Sequence, residues 1–360
     1  MTLTVEQVRA GCEWQRELCA KNDAPTYVAL IDELVRRLGR DETVTELVTA
    51  GEEDPVRSAL CLRLFGAVNR IAMAESAGWL DACYPIRGGV TDVRAVVPAF
   101  FAFMADHLEL VRDQMKAGVQ TNDVSRAAPL SAAMNHVALA TGLPLRLLEV
   151  GSSAGLNLWL DKYFVEGVTR SWGPRDSPLR LTGQFESGDP RAAVLDIVER
   201  RGCDLNPIDV HADGAADLLR SFVWPEHVER ARRLEAALRV ARSSPPLTID
   251  ASSATPWVTA HAASLPEGVA TVVYHSIVFP YFHPDERGRF AAAIRAAGEL
   301  AEESRPLAWV SLEPSAEDPS VVELICQTWP DNRRVRLART TPHGTRVRWE
   351  PADQASGLAR

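Results

Sequence analysis

The sequence predicts an α/β protein: a mostly parallel sheet with an antiparallel C-terminal edge, preceded by an all-helical region. Three observations predict it. Residues 1–140 repeatedly place apolar side chains at helical spacing. From Leu145 onward, short apolar runs alternate with amphipathic ones. The last stretch, VELICQTWP then RRVRLARTTPHGTRVRW, alternates with period two, as antiparallel strands do. Alternating β and α calls for parallel strands with helices on both faces. The terminal strands add the antiparallel edge.

The helices expected first are Val5–Cys19, Tyr27–Leu38, Val56–Ala74, Val96–Lys116 and Ala127–Thr141. Leu60, Leu64, Val68, Ile71 and Met73 form one such stripe, read as a core face. Breaks fall at Ala24-Pro25, Asp54-Pro55 and Gly88-Gly89. LRLLEV is a strand, and a helix is expected from Gly155 to Phe164. A polar region rich in Pro and Gly, Glu166 to Pro190, follows. AVLDIVERRG reads as helix and leads into CDLNPIDV; Leu218–Arg242 reads as one long amphipathic helix. LTIDA, VATVVYHSIVF and PLAWVSLEP read as short buried strands, with a helix over Arg287–Glu302 between the last two. The expected division is a helical cap, 1–140, and an α/β domain, 141–360, with an insertion near 165–200.

Composition narrows the function classes. The chain has 360 residues, 46% hydrophobic and 24% charged, as globular proteins do. A formal net charge of -9 argues against nucleic-acid binding. The densest basic cluster, Arg333, Arg334, Arg336 and Arg339, reads as a solvated strand face. No apolar run approaches the ~20 residues of a membrane span. The start, MTLTVEQVRAGCEW, lacks the basic-then-apolar pattern of a secretory signal. Six scattered cysteines without a C-x-x-C pair read as reduced, mostly buried thiols, and zinc is not expected. These features point to a cytoplasmic protein with no nucleic-acid or membrane partner; they leave its oligomeric state open.

The chemistry centres on LRLLEVGSSAGLNLWLD, Leu145 to Asp161. Gly151-Ser152-Ser153-Ala154-Gly155 fits G-x-S-x-G, in which Ser153 would be a nucleophile with Asp250 and one of His261, His275, His283 or His343. That elbow belongs in mid-sheet behind an oxyanion loop, and here a helical region precedes it. The nicotinamide fingerprint needs three glycines, whereas Gly151, Ser153 and Leu156 occupy its positions. The third reading is an acid, Glu149, then small residues closing a first strand. Such residues let a backbone approach a ligand closely, and ligands of open α/β sheets lie beyond the carboxyl ends of strands.

This third pattern resembles motif I of the class I S-adenosylmethionine-dependent methyltransferases, with Ser153 where that family usually has glycine. The order of later features adds to the resemblance. CDLNPID resembles the end of the second strand, LTIDASSATPWV the adenine segment, and VATVVYHSIVFPYFHPDERGRFAAAI the fourth strand and its helix. The resemblance implies a Rossmann-like methyltransferase sheet and S-adenosylmethionine as cofactor. Glu149, Gly151, Ser153, Gly155 and Asn157 would hold its amino-acid end, Asp204 its ribose, and Asp250 with Ala251 its adenine. It places His275 and Ser276 at a strand tip facing the methyl group or substrate, with His275 as base. The span from Glu149 to Asp204 exceeds the ~20 residues usual in nucleotide-binding βαβ units, so the insertion must be looped out. The alternative is a non-catalytic nucleotide- or metabolite-binding protein that keeps the fold. At a finer level the chain resembles a bacterial family common in actinobacteria, domain-of-unknown-function family 2332. QTNDVSRAA, LPLRLLEVGSSAGLNL, RRGCDLNPID, VATVVYHSIVFPYF and TPHGTRVRW carry that likeness.

Three further groups complete the candidates. In QTNDVSRAA, Asn122 or Asp123 caps a helix, or Asn122 and Arg126 meet substrate, where the Arg126 fork would suit a carboxylate or phosphate. Tyr281 and His283 line the same mouth, or Phe279, Tyr281 and Phe282 pack over the sheet edge. Asp209, His211 and Asp213 alternate as metal ligands on a strand would, but a polar loop with Asp213 as helix cap is the simpler reading.

Overall fold

A computed structural model describes residues 3–51 and 54–350; the final ten residues assigned above to the α/β domain lie outside them. The helical region contains α1 (Val5–Lys21), α2 (Pro25–Arg37), α3 (Glu42–Thr49), α4 (Leu60–Ala74), α5 (Gly78–Cys83), α6 (Val93–Asp106) and α7 (Leu108–Gln114). Thr4 and Gln7 form a capping box at the start of α1, and Asp41 and Asp92 cap α3 and α6. The expected Val96–Lys116 helix is broken at His107, and the stripe of α4 is buried at Leu60, Leu64, Val68 and Ile71.

The chain continues through α8 (Ala127–Thr141), β1 (Leu145–Val150), β2 (Phe164–Glu166), β3 (Ser171–Trp172), β4 (Arg180–Leu181), β5 (Phe185–Ser187) and β6 (Ile197–Asp204). Then come α9 (Ala215–Ser221), α10 (Val228–Arg242), β7 (Thr248–Ala251), α11 (Ala254–Ala262), β8 (Ala270–Ser276) and α12 (Pro284–Gly298). β9 (Leu307–Pro314), β10 (Val322–Trp329), β11 (Arg333–Thr340) and β12 (Val347–Trp349) end the described chain.

The fold is mixed α/β with a mostly parallel central sheet. Nine strands run in the order β5-β12-β11-β10-β9-β8-β1-β6-β7. β7, β6, β1, β8 and β9 are mutually parallel, and β9 to β12 form an antiparallel meander. From β1 the chain moves outward to β6 and β7, then returns to the other side of β1 as β8. The tips of β1 and β8 are therefore the point where strand order reverses. One sheet face packs Leu148, Val150, Cys203, Val273 and Trp309 against Trp257 and Val258 of α11 and Phe290 and Ile294 of α12. α8 packs against β8, β9 and β10 and against a 3-10 turn, Leu156–Lys162.

Several expectations change here. AVLDIVERRG is not a helix: Ile197–Asp204 is a strand, paired in parallel with β1. Val194, Ile197 and Val198 mimic helical spacing, but ladder pairing overrides it, and Val194 is left exposed. The Leu218–Arg242 helix is split by residues 222–227, where Pro225 supplies no amide for an intrahelical bond. The helix expected from Gly155 is the 3-10 turn followed by β2. The insertion forms a small three-stranded sheet, β3-β2-β4, plus β5, which joins β12. The chain folds as two compact units. Among the described residues, Asp213–Arg232 belongs with the helical unit that runs to Thr121, and Asn122–Ala212 with 233–350 forms the other. Arg336 and Arg339 are neutralised by Glu323 and Glu350 across the terminal strands.

Candidate functional site at the β1 and β8 tips

Strand alternation decides which candidates can meet. Residues paired side by side in neighbouring strands point to the same face, and successive residues point to opposite faces. Glu149 pairs with Tyr274 and Gly202, so Glu149, Tyr274, Ser276, Asp204 and Ala251 share one face. Val150 pairs with His275 and Cys203, and Cys203 with Asp250. His275 and Asp250 therefore stand on the opposite face from Glu149.

On the Glu149 face, Asn122 is the hub. Its Nδ2 donates to Glu149 Oε1 at 3.1 Å and lies 3.4 Å from the Ser152 carbonyl oxygen. Its Oδ1 accepts from Asn157 Nδ2 at 2.8 Å and from Ser276 Oγ at 3.4 Å. One amide thus ties the tips of β1 and β8 to the turn behind the loop. Glu149 is 1% exposed, yet its Oε2 has no hydrogen-bond partner, and neither does the Oδ1 of the buried Asn157. Burial pushes the Glu149 carboxyl up to about 8, outweighing the hydrogen bond from Asn122 and the opposing effect of the nearby Tyr274 hydroxyl; the Asp204 charge adds to the rise.

The loop itself is closed by its own hydrogen bonds. Gly151, Ser153 and Gly155 all have positive φ, at 70, 54 and 67°. A Cβ on Gly151 would lie 2.4 Å from Val278 Cγ1, so that position requires glycine. Ser153 holds a left-handed conformation that glycine adopts without strain. The Gly151 and Ser152 amides donate to the Cys203 carbonyl oxygen, the Gly155 amide to the Ser152 carbonyl oxygen, and the Ser153 amide to Asp204 Oδ2 at 2.9 Å. With these amides engaged, the loop is not an open anion nest of the kind that grips phosphate. Asp204 Oδ1 accepts from the Asn206 amide, so both of its oxygens already hold backbone.

The remaining candidates have other roles. Asp250 grips Arg201 through both oxygens, at 2.9 and 3.1 Å, and accepts from Trp257 Nε1 at 2.6 Å; the bond to Arg201 is the main reason its carboxyl stays below the usual range. His275 is fully buried: Nδ1 lies 2.7 Å from Glu313 Oε1, and Nε2 accepts from Trp309 Nε1 at 3.0 Å. Phe279 and Phe290 pack around its ring. Glu313 also accepts from the Val278 and Phe279 amides, at 2.9 and 3.2 Å. It thereby pins the turn after β8, where Ile277 has a φ of 53°. Arg126 is buried and donates to the carbonyl oxygens of Pro342 and Ser276, so its fork is spent on backbone. Asp123 caps the turn before α8 through the Ser125 amide and pairs with His343 at 3.0 Å. Tyr281 sits on a short 3-10 turn, 46% exposed. Asp209 caps its own turn through the His211 amide, and among the described residues no three His, Cys, Asp or Glu side chains cluster as metal ligands.

The sequence reading missed Tyr274, Glu313 and the joining of Asp123 to His343. Strand parity would have separated His275 from Glu149, given the register. All six cysteines are buried and unpaired. Among the described residues no helix is long and apolar enough to cross a membrane.

A family model described as "Uncharacterized protein conserved in bacteria" (DUF2332) matches residues 9–349. No curated protein matches the chain. The chain belongs to this bacterial DUF2332 family.

Proposed function

We propose that this chain binds S-adenosylmethionine at the β1 tip and transfers its methyl group to a small molecule. The carrying observation is the buried, unpartnered Glu149 Oε2 beside an Asn157 whose Oδ1 is also unpartnered. A buried carboxyl and a buried amide oxygen without partners are costly, and a donor-rich cation that draws the proton off Glu149 satisfies both. The Gly151, Ser152, Ser153 and Gly155 amides are engaged, which disfavours a phosphate ligand, and the buried carboxyl favours a cationic one. The strand order β7-β6-β1-β8-β9 follows the 3-2-1-4-5 order of doubly wound sheets and supports a Rossmann-like methyltransferase fold.

In this reading Glu149, oriented by Asn122, accepts from the cofactor's ammonium group. Asp204 and Ala251 lie on the same face for its ribose and adenine. When bound, the cofactor supplies a sulfonium-activated methyl group. Ser276 and Asn122 then border the acceptor, and the chain's contribution is alignment. His275 and Asp250 take no part. The protein is read as cytoplasmic, with neither nucleic acid nor membrane as partner.

Retention of tritium-labelled S-adenosylmethionine by the wild type, lost in Glu149→Ala, tests the cofactor site. Transfer of the label into the small-molecule fraction of a bacterial extract tests catalysis. Failure to retain the label overturns the reading. A second reading, a metabolite-binding protein without catalysis, draws support from the saturated Asp204 and Asp250 carboxylates. It predicts retention with no transfer.

A further inference from the structure

The TPHGT turn between β11 and β12 holds one imidazole against one carboxylate. Gly344 has a φ of +68°, and a Cβ there would lie 2.6 Å from Arg126 Cα and 3.0 Å from the Ser125 carbonyl oxygen. Only glycine lets the turn come this close. Arg126 Nε donates to the Pro342 carbonyl oxygen at 2.9 Å, and the Thr341 and Thr345 hydroxyls, 2.7 Å apart, close the turn. His343 Nδ1 is thereby placed 3.0 Å from Asp123 Oδ2, with side-chain exposures of 23% and 1%. Asp123 Oδ1 is occupied by the Ser125 amide. The next residue back, Asn122, holds Glu149, and Arg126 also donates to the Ser276 carbonyl oxygen. Residues 122–126 therefore join the imidazole, the β8 tip and the unpartnered carboxyl.

A buried carboxylate on Nδ1 fixes the ring proton there, puts the lone pair on Nε2, and stabilises the imidazolium formed when Nε2 gains a proton. His275 is enclosed on the other sheet face and has no such role. We propose that Asp123 and His343 form the proton-accepting centre of this site, Asp123 orienting the ring and His343 Nε2 taking a proton from a hydroxyl or ammonium group of the acceptor. The O–H or N–H bond breaks, its electron pair stays on the attacking oxygen or nitrogen, and the proton forms the new N–H bond. The acceptor class is thus an alcohol, phenol or amine. This inference rests on the methyl-transfer reading.

The test is diethyl pyrocarbonate modification of the full chain, mapped by peptide mass spectrometry with and without S-adenosylhomocysteine. His283, whose side chain is 62% exposed, serves as internal reference. The expected result is that His343 reacts at least as fast as His283 despite its lower exposure. At a pH where both imidazoles are neutral, Asp123→Asn should slow His343 several-fold and leave His283 unchanged. If that variant does not fold by circular dichroism, the wild-type ratio decides alone. His343 reacting more slowly than His283, or at an unchanged rate in a folded Asp123→Asn, overturns the proposal. Fast reaction at His343 in a chain that retains no S-adenosylhomocysteine leaves an activated Asp123–His343 pair but overturns the adenosyl reading and, with it, the assignment of the pair to a methyl acceptor.

Discussion

The two faces of the central sheet each bury one glutamate, and the two are treated in opposite ways. On one face Glu313 holds an imidazole nitrogen and two backbone amides. On the other, Glu149 Oε1 holds one side-chain amide, and Oε2, with only the Tyr274 hydroxyl near it, makes no formed hydrogen bond. A satisfied buried network fixes a conformation, here the turn after β8. An unsatisfied buried acceptor is a cost that a ligand removes. A histidine or an acid at a strand tip is thus not evidence of chemistry by itself. What distinguishes the two clusters is the state of their hydrogen bonds.

The largest effect that would sharpen this contrast is at Glu313. Glu313→Ala leaves His275 and the Val278 and Phe279 amides without their partner and is expected to cost about 3–5 kcal/mol in urea unfolding. A cost below about 1 kcal/mol would break the structural assignment of that face. Glu149→Gln should behave differently and depend on pH. The Glu149 carboxyl is raised from 4.5 to about 8, so between these values the folded state keeps a proton that the unfolded state has lost. Wild-type stability therefore falls as pH rises through that window, by up to about 5 kcal/mol. Glu149→Gln removes this slope: the variant should match the wild type near pH 4.5 and exceed it at pH 9. Parallel stability–pH curves would contradict the buried, proton-bearing carboxyl. The smallest effect is at the loop. Ser153→Gly relieves a left-handed serine and should stabilise by about 1 kcal/mol or less. Destabilisation would mean that the serine side chain contributes more than its backbone strain costs.

Much of this architecture is legible in the sequence. The apolar LRLLEV run and the small residues after it locate β1, its acid and its loop, because strand ends and tight turns are local signals. The α8 bounds, Ala127–Thr141, also follow from local periodicity. The site is legible only in part. Tyr274, His275 and Ser276 are consecutive, so alternation must send them to opposite faces, and only pairing with β1 says which face holds Glu149. Asn122 reaches Glu149 across 27 positions, and Asp123 reaches His343 across 220. No periodicity encodes such contacts. Ala193–Gly202 reads as helix in the sequence because its spacing fits one when the β1 partner of Ile197–Asp204 is unseen.

The sharpest test of the unpartnered carboxyl as a cofactor site is isothermal calorimetry of S-adenosylmethionine binding at pH 7, in two buffers of different ionisation enthalpy. One site and net proton release are expected for the wild type, because pairing with an ammonium drives the proton off Glu149. Weakened binding with no such release is expected for Glu149→Gln. Absence of binding, or binding that releases no proton and is indifferent to Glu149→Gln, would contradict this reading.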